Sequence, residues 1–178
     1  LLLSRAEREQ GLTREHVDVE RVVEEVRRAL APQAAQKRIS IVSEGALTLW
    51  AVEKDLWEML HNLMGNAIRY GRRGGHVKIL LRQRCIIVED DGIGIEKKHL
   101  PYLFEQFYRV DQSRDPEVRG TGLGLSIVRT LAERNGATVK TNFSRVYGHE
   151  WQFWDETIKE FLDWIPRTDS YAGKIRKI

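Results

Sequence analysis

The chain has 178 residues, 42% hydrophobic and 31% charged, which is enough for one soluble domain with a core, or a domain with an appendage. The net charge is +3, and the charges alternate in sign along the chain, which disfavours nucleic-acid binding. No apolar run approaches the length of a membrane span. The single cysteine, Cys85, excludes an internal disulfide and is expected to be a buried thiol in a cytosolic protein.

The first half of the chain predicts a helix, two strands and a second helix. Residues 18–38 place apolar residues at helical spacing, with Asp18 as the N-cap and Glu20 in the first turn. The strand-type stretches "ISIV" and "ALTLW" lie on either side of the turn-like "SEGA". The stretch "EKDLWEMLHNLMGNAIRY" predicts the next helix, which ends at the glycines of residues 71–75.

The second half predicts two adjacent strands, a long connection, a helix and a strand. The strands are "HVKILLR" and "CIIVED", the helix is "LGLSIVRTLAERNG", and the last strand is "ATVKTNF". The polar connection before the helix is long for a compact domain, and such segments are often functional lids or disordered segments. This order predicts an α+β fold, an α/β sandwich with a mixed sheet covered on one face by helices.

The second predicted helix carries an unusual polar face. At 100° per residue, Asn62, Asn66, Arg69 and Tyr70 fall within about one quadrant. The opposite side is apolar and consists of Leu56, Leu60, Leu63, Met64, Ala67 and Ile68. Amides can offer oxygens to a hard cation, an arginine can meet phosphate, and a tyrosine can lie against a flat base. A simple solvent-exposed polar face is the alternative interpretation.

Two glycine-containing stretches add to this face. In "VEDDGIGI" an aspartate, Asp90, ends an apolar strand, where it can accept a hydrogen bond from an exocyclic amino group such as that of adenine. A hairpin turn is the alternative for this stretch. In "RGTGLGLSIV" three alternating glycines lead into a helix, so that backbone N–H groups can face an anion.

Together and in this order, these stretches resemble the catalytic ATP-binding domain of two-component sensor histidine kinases, a group related to gyrase-type and chaperone-type ATPases. "NLMGNAIRY" is similar to the N box of that family, "DDGIGI" to its first glycine box, "LFEQFYR" to its phenylalanine box and "GTGLGLSIV" to its second glycine box. The resemblance covers roughly residues 14–141. It implies a sandwich fold whose lid, from about residue 101 to residue 124, closes over ATP.

The resemblance also implies ligands and site residues. ATP and Mg²⁺ would bind, with Asn66 as the magnesium ligand. Three candidate catalytic residues would act on the phosphates, Asn62 as a polar neighbour, Arg69 in contact with phosphate and Arg109 reaching toward the γ-phosphate. The candidate nucleotide-binding residues are Asn66, Tyr70, Asp90, Gly92, Gly94, Gly120, Thr121, Gly122, Leu123 and Gly124.

The same resemblance favours phosphoryl transfer over hydrolysis. In gyrase-type relatives a glutamate stands four residues before the metal asparagine, and here that position is Asn62. Transfer of the γ-phosphoryl group to a protein histidine is therefore expected. None of the five histidines stands in an acceptor motif like "HELRTPL", so the acceptor would lie on a dimerisation hairpin that this chain does not contain. His61 is expected to have a structural role.

We expect residues 1–13 to end the dimerisation helix, residues 14–143 to form the ATP-binding catalytic domain, and residues 144–178 to form an atypical helical tail. The implied partners are a dimerisation and phosphoacceptor domain and a response regulator, with no nucleic acid. The parent protein would be a homodimer, either soluble or membrane-anchored, with this domain in the cytoplasm.

The C-terminal tail resembles part of a different protein class. "YGHEWQFWDETIKEFLDWIP" has helical periodicity and resembles the closing segment of esterase-type α/β-hydrolases, in which His149 would be the general base. The chain has no "GxSxG" nucleophile motif, and a triad without its nucleophile is inert. An ATP-dependent interaction module and an anti-sigma-type kinase that phosphorylates serine on a partner stay open beside the histidine kinase.

Overall fold

The computed structural model describes residues 13–82, 84–110 and 120–139, except the side chain at position 97. In chain order the elements are β1 (Glu15–Asp18), α1 (Val19–Lys37), β2 (Ser40–Glu44), β3 (Thr48–Ala51), α2 (Glu53–Tyr70), β4 (His76–Arg82), β5 (Cys85–Asp90), a 3₁₀ helix (Lys97–Tyr102) and α3 (Gly124–Arg134). The predicted helix over "EKDLWEMLHNLMGNAIRY" and the strands "HVKILLR" and "CIIVED" are confirmed with the expected bounds.

The strands form one mixed sheet and one separate ribbon. In the three-stranded sheet β2 runs parallel to β4, and β4 runs antiparallel to β5 with Val77 opposite Asp90 and Arg82 opposite Cys85. β1 pairs antiparallel with β3 in a two-stranded ribbon. The first two residues of the predicted turn "SEGA", Ser43 and Glu44, are the end of β2, and residues 45–47 connect two strands that belong to different sheets. The sequence analysis did not predict β1, whose four residues include only one buried side chain, Val17.

Helices and sheet enclose one apolar core. α1 and α2 pack on each other and also contact strands of the three-stranded sheet, which confirms the predicted mixed sheet with helices. α1 contributes buried residues at helical spacing, which are Val19, Val22, Val23, Val26, Leu30 and Ala34. β4 contributes Val77, Ile79 and Leu81 at every second position, and Leu80 between them is also buried. Full burial of one such side chain contributes about 1.5–3 kcal/mol.

The ends of the helices are held by specific contacts. Asp18 caps α1 as predicted, because its carboxylate accepts a 3.3 Å hydrogen bond from the N–H of Arg21. At the other end of α1, the ammonium group of Lys37 donates to the carbonyl of Arg69, and the carbonyl of Lys37 accepts a 2.8 Å bond from Gly74. The carboxyl ends of α1 and α2 are thereby joined, and this junction fixes the last turn of α2.

Several predictions fall partly or wholly outside the described residues. The predicted strand "ATVKTNF" begins at Ala137, and residues 137–139 lie outside any strand. The rest of that stretch, the predicted tail with His149 and most of the predicted first segment are not among the described residues. Cys85 is buried as expected, and burial raises the pKa of its thiol to about 11. Within the described part of the chain, no helix combines the length and the apolar content that crossing a membrane requires.

Candidate functional site

The polar face of α2 lies beside the core without entering it. Asn62, Asn66 and Arg69 are half-buried and Tyr70 is exposed. The opposite side of the helix is buried, and includes Leu56, Leu60, Met64, Ala67 and Ile68. The Asn62 amide nitrogen donates a 2.9 Å hydrogen bond to the carbonyl of Glu58, one turn earlier. This bond fixes the orientation of the amide group, and with it the direction in which the amide oxygen points.

The glycine-rich segment of residues 120–124 lies against this polar face. A Cβ atom built on Gly120 would stand 2.6 Å from a guanidinium nitrogen of Arg69. One built on Gly124 would stand 3.0 Å from the amide oxygen of Asn62 and 3.8 Å from the amide nitrogen of Asn66. The fold thus brings together two stretches that are far apart in the sequence, and it leaves between them a surface of amides, one guanidinium and backbone.

The middle glycine of the segment packs on the other side, against Phe107. Gly122 has a φ of 71°, and a Cβ atom there would stand 2.7 Å from the carbonyl carbon of Phe107. The N–H of Phe107 donates a 2.9 Å hydrogen bond to the carbonyl of Gly122. Phe107 itself has a φ of 65° and a side chain that is 70% exposed. Only a glycine combines this backbone conformation with so close an approach.

Asp90 ends β5 next to the last turn of α2. Its carboxylate accepts a 2.8 Å hydrogen bond from the N–H of Gly92, and the N–H of Ile93 donates a 3.3 Å bond to the carbonyl of Tyr70. A Cβ atom on Gly92 would stand 2.5 Å from that same carbonyl oxygen. The "DDGIGI" stretch is therefore docked on the end of α2, with the carboxylate of Asp90 beside Tyr70.

The environment of Asp90 perturbs its ionisation. One side of the residue is open to solvent, but the surrounding protein withdraws water from the carboxylate and raises its pKa above the ordinary value. The hydrogen bond from Gly92 lowers the pKa, the charge of Asp91 raises it and His76 lowers it, but burial is the largest effect. A perturbed carboxylate at the end of a strand is typical of functional sites.

Asp91 is a residue of this region that the sequence analysis missed. Its carboxylate lies 3.0 Å from the Nδ1 atom of His76 and accepts a 3.2 Å hydrogen bond from the backbone N–H of the same residue. A Cβ atom on Gly75 would stand 2.3 Å from this carboxylate. Asp91 thus joins the end of β5 to the start of β4. The doubled aspartate of "DDGIGI" was the available signal.

The other predicted residues lie on the same segments, and the structure describes each of them by its local contacts. Gly94 has a φ of 70° and open space where a Cβ would be. The hydroxyl of Thr121 accepts a 3.4 Å hydrogen bond from the N–H of Leu123, which is the N-cap residue of α3. Leu123 gives α3 no side-chain cap. Arg109 is half-buried and follows Phe107 by two positions, at the same end of the lid as Gly122. His61 stacks on Trp57, with ring centroids 4.8 Å apart.

The described residues contain no group of three or more His, Cys, Asp or Glu side chains suited to hold a metal ion. Asn66 is no such cluster, since it offers one ligand, the half-buried amide of its side chain on the surface of the site. A hard cation such as Mg²⁺ commonly takes one or two protein oxygens and completes its shell with substrate phosphates and water. Within residues 13–82, 84–110 and 120–139, the available donors therefore suit a metal that arrives with a phosphate ligand.

A mixed sheet with helices on it, and a glycine-rich segment lying on a polar helix face, define the class of α/β ATP-binding domains. The family described as histidine kinase-, DNA gyrase B- and HSP90-like ATPase matches residues 51–156, more than half of the chain. The chain belongs to this family, and ATP is the substrate that the family description implies. The resemblance to the ATP-binding domain of sensor histidine kinases is thereby confirmed.

Individual relatives agree with this assignment. The chain is 39% identical over 108 residues to the sensor histidine kinase RppB of Synechocystis sp., which covers 57% of this chain and 24% of that protein. It is 39% identical over 107 residues to the phosphate regulon sensor protein PhoR of Pseudomonas aeruginosa, and this alignment covers 58% of this chain and 24% of that protein. The chain thus spans about a quarter of the length of these curated relatives.

Solved structures share the fold. The histidine kinase AdeS of Acinetobacter baumannii superimposes with a TM-score of 0.61 at 26% identity, covering 80% of this chain and 67% of that chain. A mycobacterial sensor histidine kinase, MprB, gives 0.59 at 25% identity, covering 70% and 83%. Full-length ShkA, solved in complex with AMPPNP, gives 0.63 at 27% identity, covering 75% of this chain and 29% of that chain.

Proposed function

We propose that this domain binds ATP with Mg²⁺ and transfers the γ-phosphoryl group to a histidine on a dimerisation hairpin, as the catalytic part of a sensor histidine kinase. The observation that carries the proposal is the contact of residues 120–124 with Asn62, Asn66 and Arg69 on α2. Family membership and relatives named as sensor histidine kinases support it. The structural relative ShkA was solved with AMPPNP bound, which supports a nucleotide at this surface.

The adenine would lie at the end of β5. The carboxylate of Asp90 would accept a hydrogen bond from the exocyclic amino group, which guanine does not present at the equivalent position. Tyr70, with its exposed ring, would lie against the nucleotide, while Gly92 and Gly94 keep backbone rather than side chains near the base. The "DDGIGI" stretch and the end of α2 on which it is docked would thus share one role, the recognition of the base.

The phosphates would lie between α2 and the glycine-rich segment. Arg69 supplies a positive charge beside Gly120, and the uncapped N-terminus of α3 directs backbone N–H groups and the positive end of its dipole toward the same space. Thr121 and Leu123 complete this backbone stretch, and Arg109, two residues after Phe107, would reach the γ-phosphate from the part of the lid that pairs with Gly122. Phosphoryl transfer depends mainly on such positioning and charge stabilisation.

Asn66 would hold Mg²⁺ through its amide oxygen, together with the substrate phosphates. When bound, the ion would neutralise charge on the phosphates. The assignment fits the structure because the Asn66 side chain takes part in none of the hydrogen bonds found among the described residues, which leaves its oxygen available.

In the proposed reaction, an imidazole nitrogen of the acceptor histidine forms a bond to the γ-phosphorus. The bond from that phosphorus to the β,γ-bridging oxygen breaks, ADP leaves, and the imidazole loses its N–H proton to solvent. Hydrolysis would need a base to activate water, and Asn62 offers an amide at that position. Glu58, one turn earlier, interacts with Arg134 through its charge. Transfer is therefore favoured over hydrolysis.

The partners follow from this function. A dimerisation and phosphoacceptor domain would supply the histidine, and a response regulator would receive the phosphoryl group. The parent protein would be a homodimer that keeps this domain in the cytoplasm, where ATP is available.

A binding titration tests the nucleotide site. A fluorescent ATP analogue is titrated into the full 178-residue chain with and without Mg²⁺, and into the Asp90→Asn and Asn66→Ala variants. We expect Asp90→Asn to abolish binding and Asn66→Ala to abolish its magnesium dependence. Gln36→Ala, an exposed polar residue of α1, serves as the control and should bind like the wild type. Unchanged titrations in both site variants would contradict the assignment.

A labelling experiment tests the transfer step and separates the alternatives. The chain is incubated with γ-labelled ATP, with and without an added histidine-containing dimerisation hairpin from a sensor kinase. Acid-labile label on the hairpin marks phosphohistidine and supports the proposal. Acid-stable label on a partner marks phosphoserine and supports the anti-sigma-type kinase, whereas binding of ATP without transfer to either supports an interaction module.

A further inference from the structure

Helices α2 and α3 lie antiparallel and are joined at the end remote from residues 120–124. Asp55, in the first turn of α2, is only 2% exposed, and its carboxylate accepts a 2.7 Å hydrogen bond from the Nε atom of Arg134. A second guanidinium nitrogen of Arg134 donates to the other carboxylate oxygen. The pair is bidentate, the geometry in which arginine and carboxylate bind most strongly and with the most defined orientation.

Asn135 completes this junction from the C-cap position of α3. It is 1% exposed, and its amide nitrogen donates 2.8 Å hydrogen bonds to the Asp55 carboxylate and to the Leu131 carbonyl. Its amide oxygen accepts a 2.9 Å bond from the N–H of Val52, the N-cap residue of α2. All three bonds are buried, and the two that cross to α2, with Asp55 and with Val52, would leave unsatisfied polar groups if α3 moved away.

The stretches of α2 and α3 that connect the junction with the glycine-rich segment have the same length. Along α2, eleven positions separate Asp55 from Asn66, and along α3 and its cap, eleven positions separate Gly124 from Asn135. At 1.5 Å of rise per residue, both spans are about 16 Å. The contacts of Asp55 at one end and the contacts of Gly124 with Asn62 and Asn66 at the other end therefore form in the same alignment of the two helices.

We propose that Asp55, Arg134 and Asn135 are positioning residues that set the register of α3 along α2, and so place the glycine-rich segment at the triphosphate of ATP. This inference rests on the proposed function. The apolar contacts between the helices are not directional and tolerate sliding, whereas the hydrogen bonds of the junction define one register. A slip of one residue along the axis would displace Gly124 by about 1.5 Å, enough to disturb contacts with phosphates.

The test separates phosphate binding from base binding. ATP and adenosine compete with the fluorescent ATP analogue for the wild type, Asn135→Ala and Arg134→Ala, at a temperature well below the lowest unfolding midpoint. Arg134 is 46% exposed, so water can take the place of its guanidinium beside Asp55, and we expect Arg134→Ala to lose less stability than Asn135→Ala. We expect ATP affinity to fall about tenfold, and adenosine affinity to change less than about twofold, in Arg134→Ala and more strongly in Asn135→Ala.

A destabilised variant elsewhere serves as the control. Val26→Ala removes volume from the core at α1, away from the junction, and should lower stability while keeping the ratio of ATP to adenosine affinity. An unchanged ratio in Arg134→Ala and in any folded Asn135→Ala would overturn the positioning role, as would an equal change in Val26→Ala. A wild type that binds no ATP would overturn the proposed function as well, which distinguishes the two failures.

Discussion

The carboxylate of Asp90 accepts a 2.8 Å hydrogen bond from the N–H of Gly92, two residues further along the chain. This bond is the local reason that β5 ends where it does, and it orients the carboxylate beside the last turn of α2. Burial nevertheless raises the pKa of Asp90, with Asp91 adding to the rise and His76 opposing it. The site therefore holds a carboxylate that protonates more readily than an ordinary aspartate.

This raised pKa predicts a pH dependence of base binding. Below the folded-state pKa the carboxyl group is neutral and a weaker acceptor, so adenosine affinity should fall on acidification, starting above the ordinary aspartate pKa of about 3.9. Competition by adenosine, which carries no ionising phosphate, measures this from about pH 8 to pH 4. Asp90→Asn should bind weakly at every pH. A wild-type profile as flat as that of the variant would contradict the role of Asp90.

The glycines of the lid predict different costs for the same substitution. Gly122→Ala forces a side chain into a backbone with a φ of 71° and onto the carbonyl carbon of Phe107, so we expect a loss of about 1–3 kcal/mol. Gly120→Ala meets only the flexible end of Arg69, and should cost less than about 0.5 kcal/mol. Urea unfolding of both variants measures the difference. Equal losses would show that the Phe107 contact does not hold in solution.

Glu89 predicts a second pH effect, on stability. Its Oε1 atom is buried without a hydrogen-bond partner among the described residues, and burial raises its pKa, against the pull of Lys78, Arg82 and His76. The charge of Glu44 adds to the rise. A carboxyl whose folded-state pKa is raised contributes stability below its unfolded-state pKa, and this contribution is lost as the pH rises through the folded-state pKa.

Glu89→Gln does not titrate, so its stability relative to the wild type should increase as the pH rises through that window. Urea unfolding midpoints from about pH 4 to pH 8 measure the trend. Glu15→Gln, an exposed residue of β1, should show no such increase. A difference that is constant with pH would mean that the Glu89 carboxyl is solvated in the folded protein.

The buried side chain of Met64 lies in the core directly behind the polar face of α2, and its truncation tests how much stability that packing contributes. It lies on α2 between Asn62 and Asn66 but faces inward, at 0% exposure. Met64→Ala should cost about 2–5 kcal/mol through lost burial and a cavity. Leu63→Ala, at a half-buried neighbour, should cost clearly less. Urea unfolding with an unchanged slope measures both, and a smaller loss at Met64 than at Leu63 would contradict the described orientation of α2.

Local features were predictable from the sequence. The bounds of α2, β4 and β5 follow from hydrophobic period and from the glycines after α2, before β4 and after β5, and the Asp18 cap follows from a side chain that bonds its own helix. The polar face of α2 was predictable for the same reason, because a helical wheel requires only the positions of its residues. The motifs could then be combined through their order along the chain.

Long-range partners were not predictable in this way. Asp55 and Asn135 are 80 residues apart and bond through side chains whose types are unremarkable at helix ends. Asp91 and His76 meet only because β4 and β5 pair in one particular register. β1 was missed because its pairing with β3, and not its own four residues, makes it a strand. Such choices depend on tertiary contacts that no local pattern contains.

The hydrogen bond from Phe107 to Gly122 also bears on how freely the length of the lid can vary. It brings together the two ends of the segment between these residues. In polymer terms the loop is already closed, and each doubling of its length adds only about 0.6 kcal/mol to the closure entropy. Insertions between the two anchors should therefore be tolerated by the fold, and lid length can diverge among relatives while the site beneath it is kept.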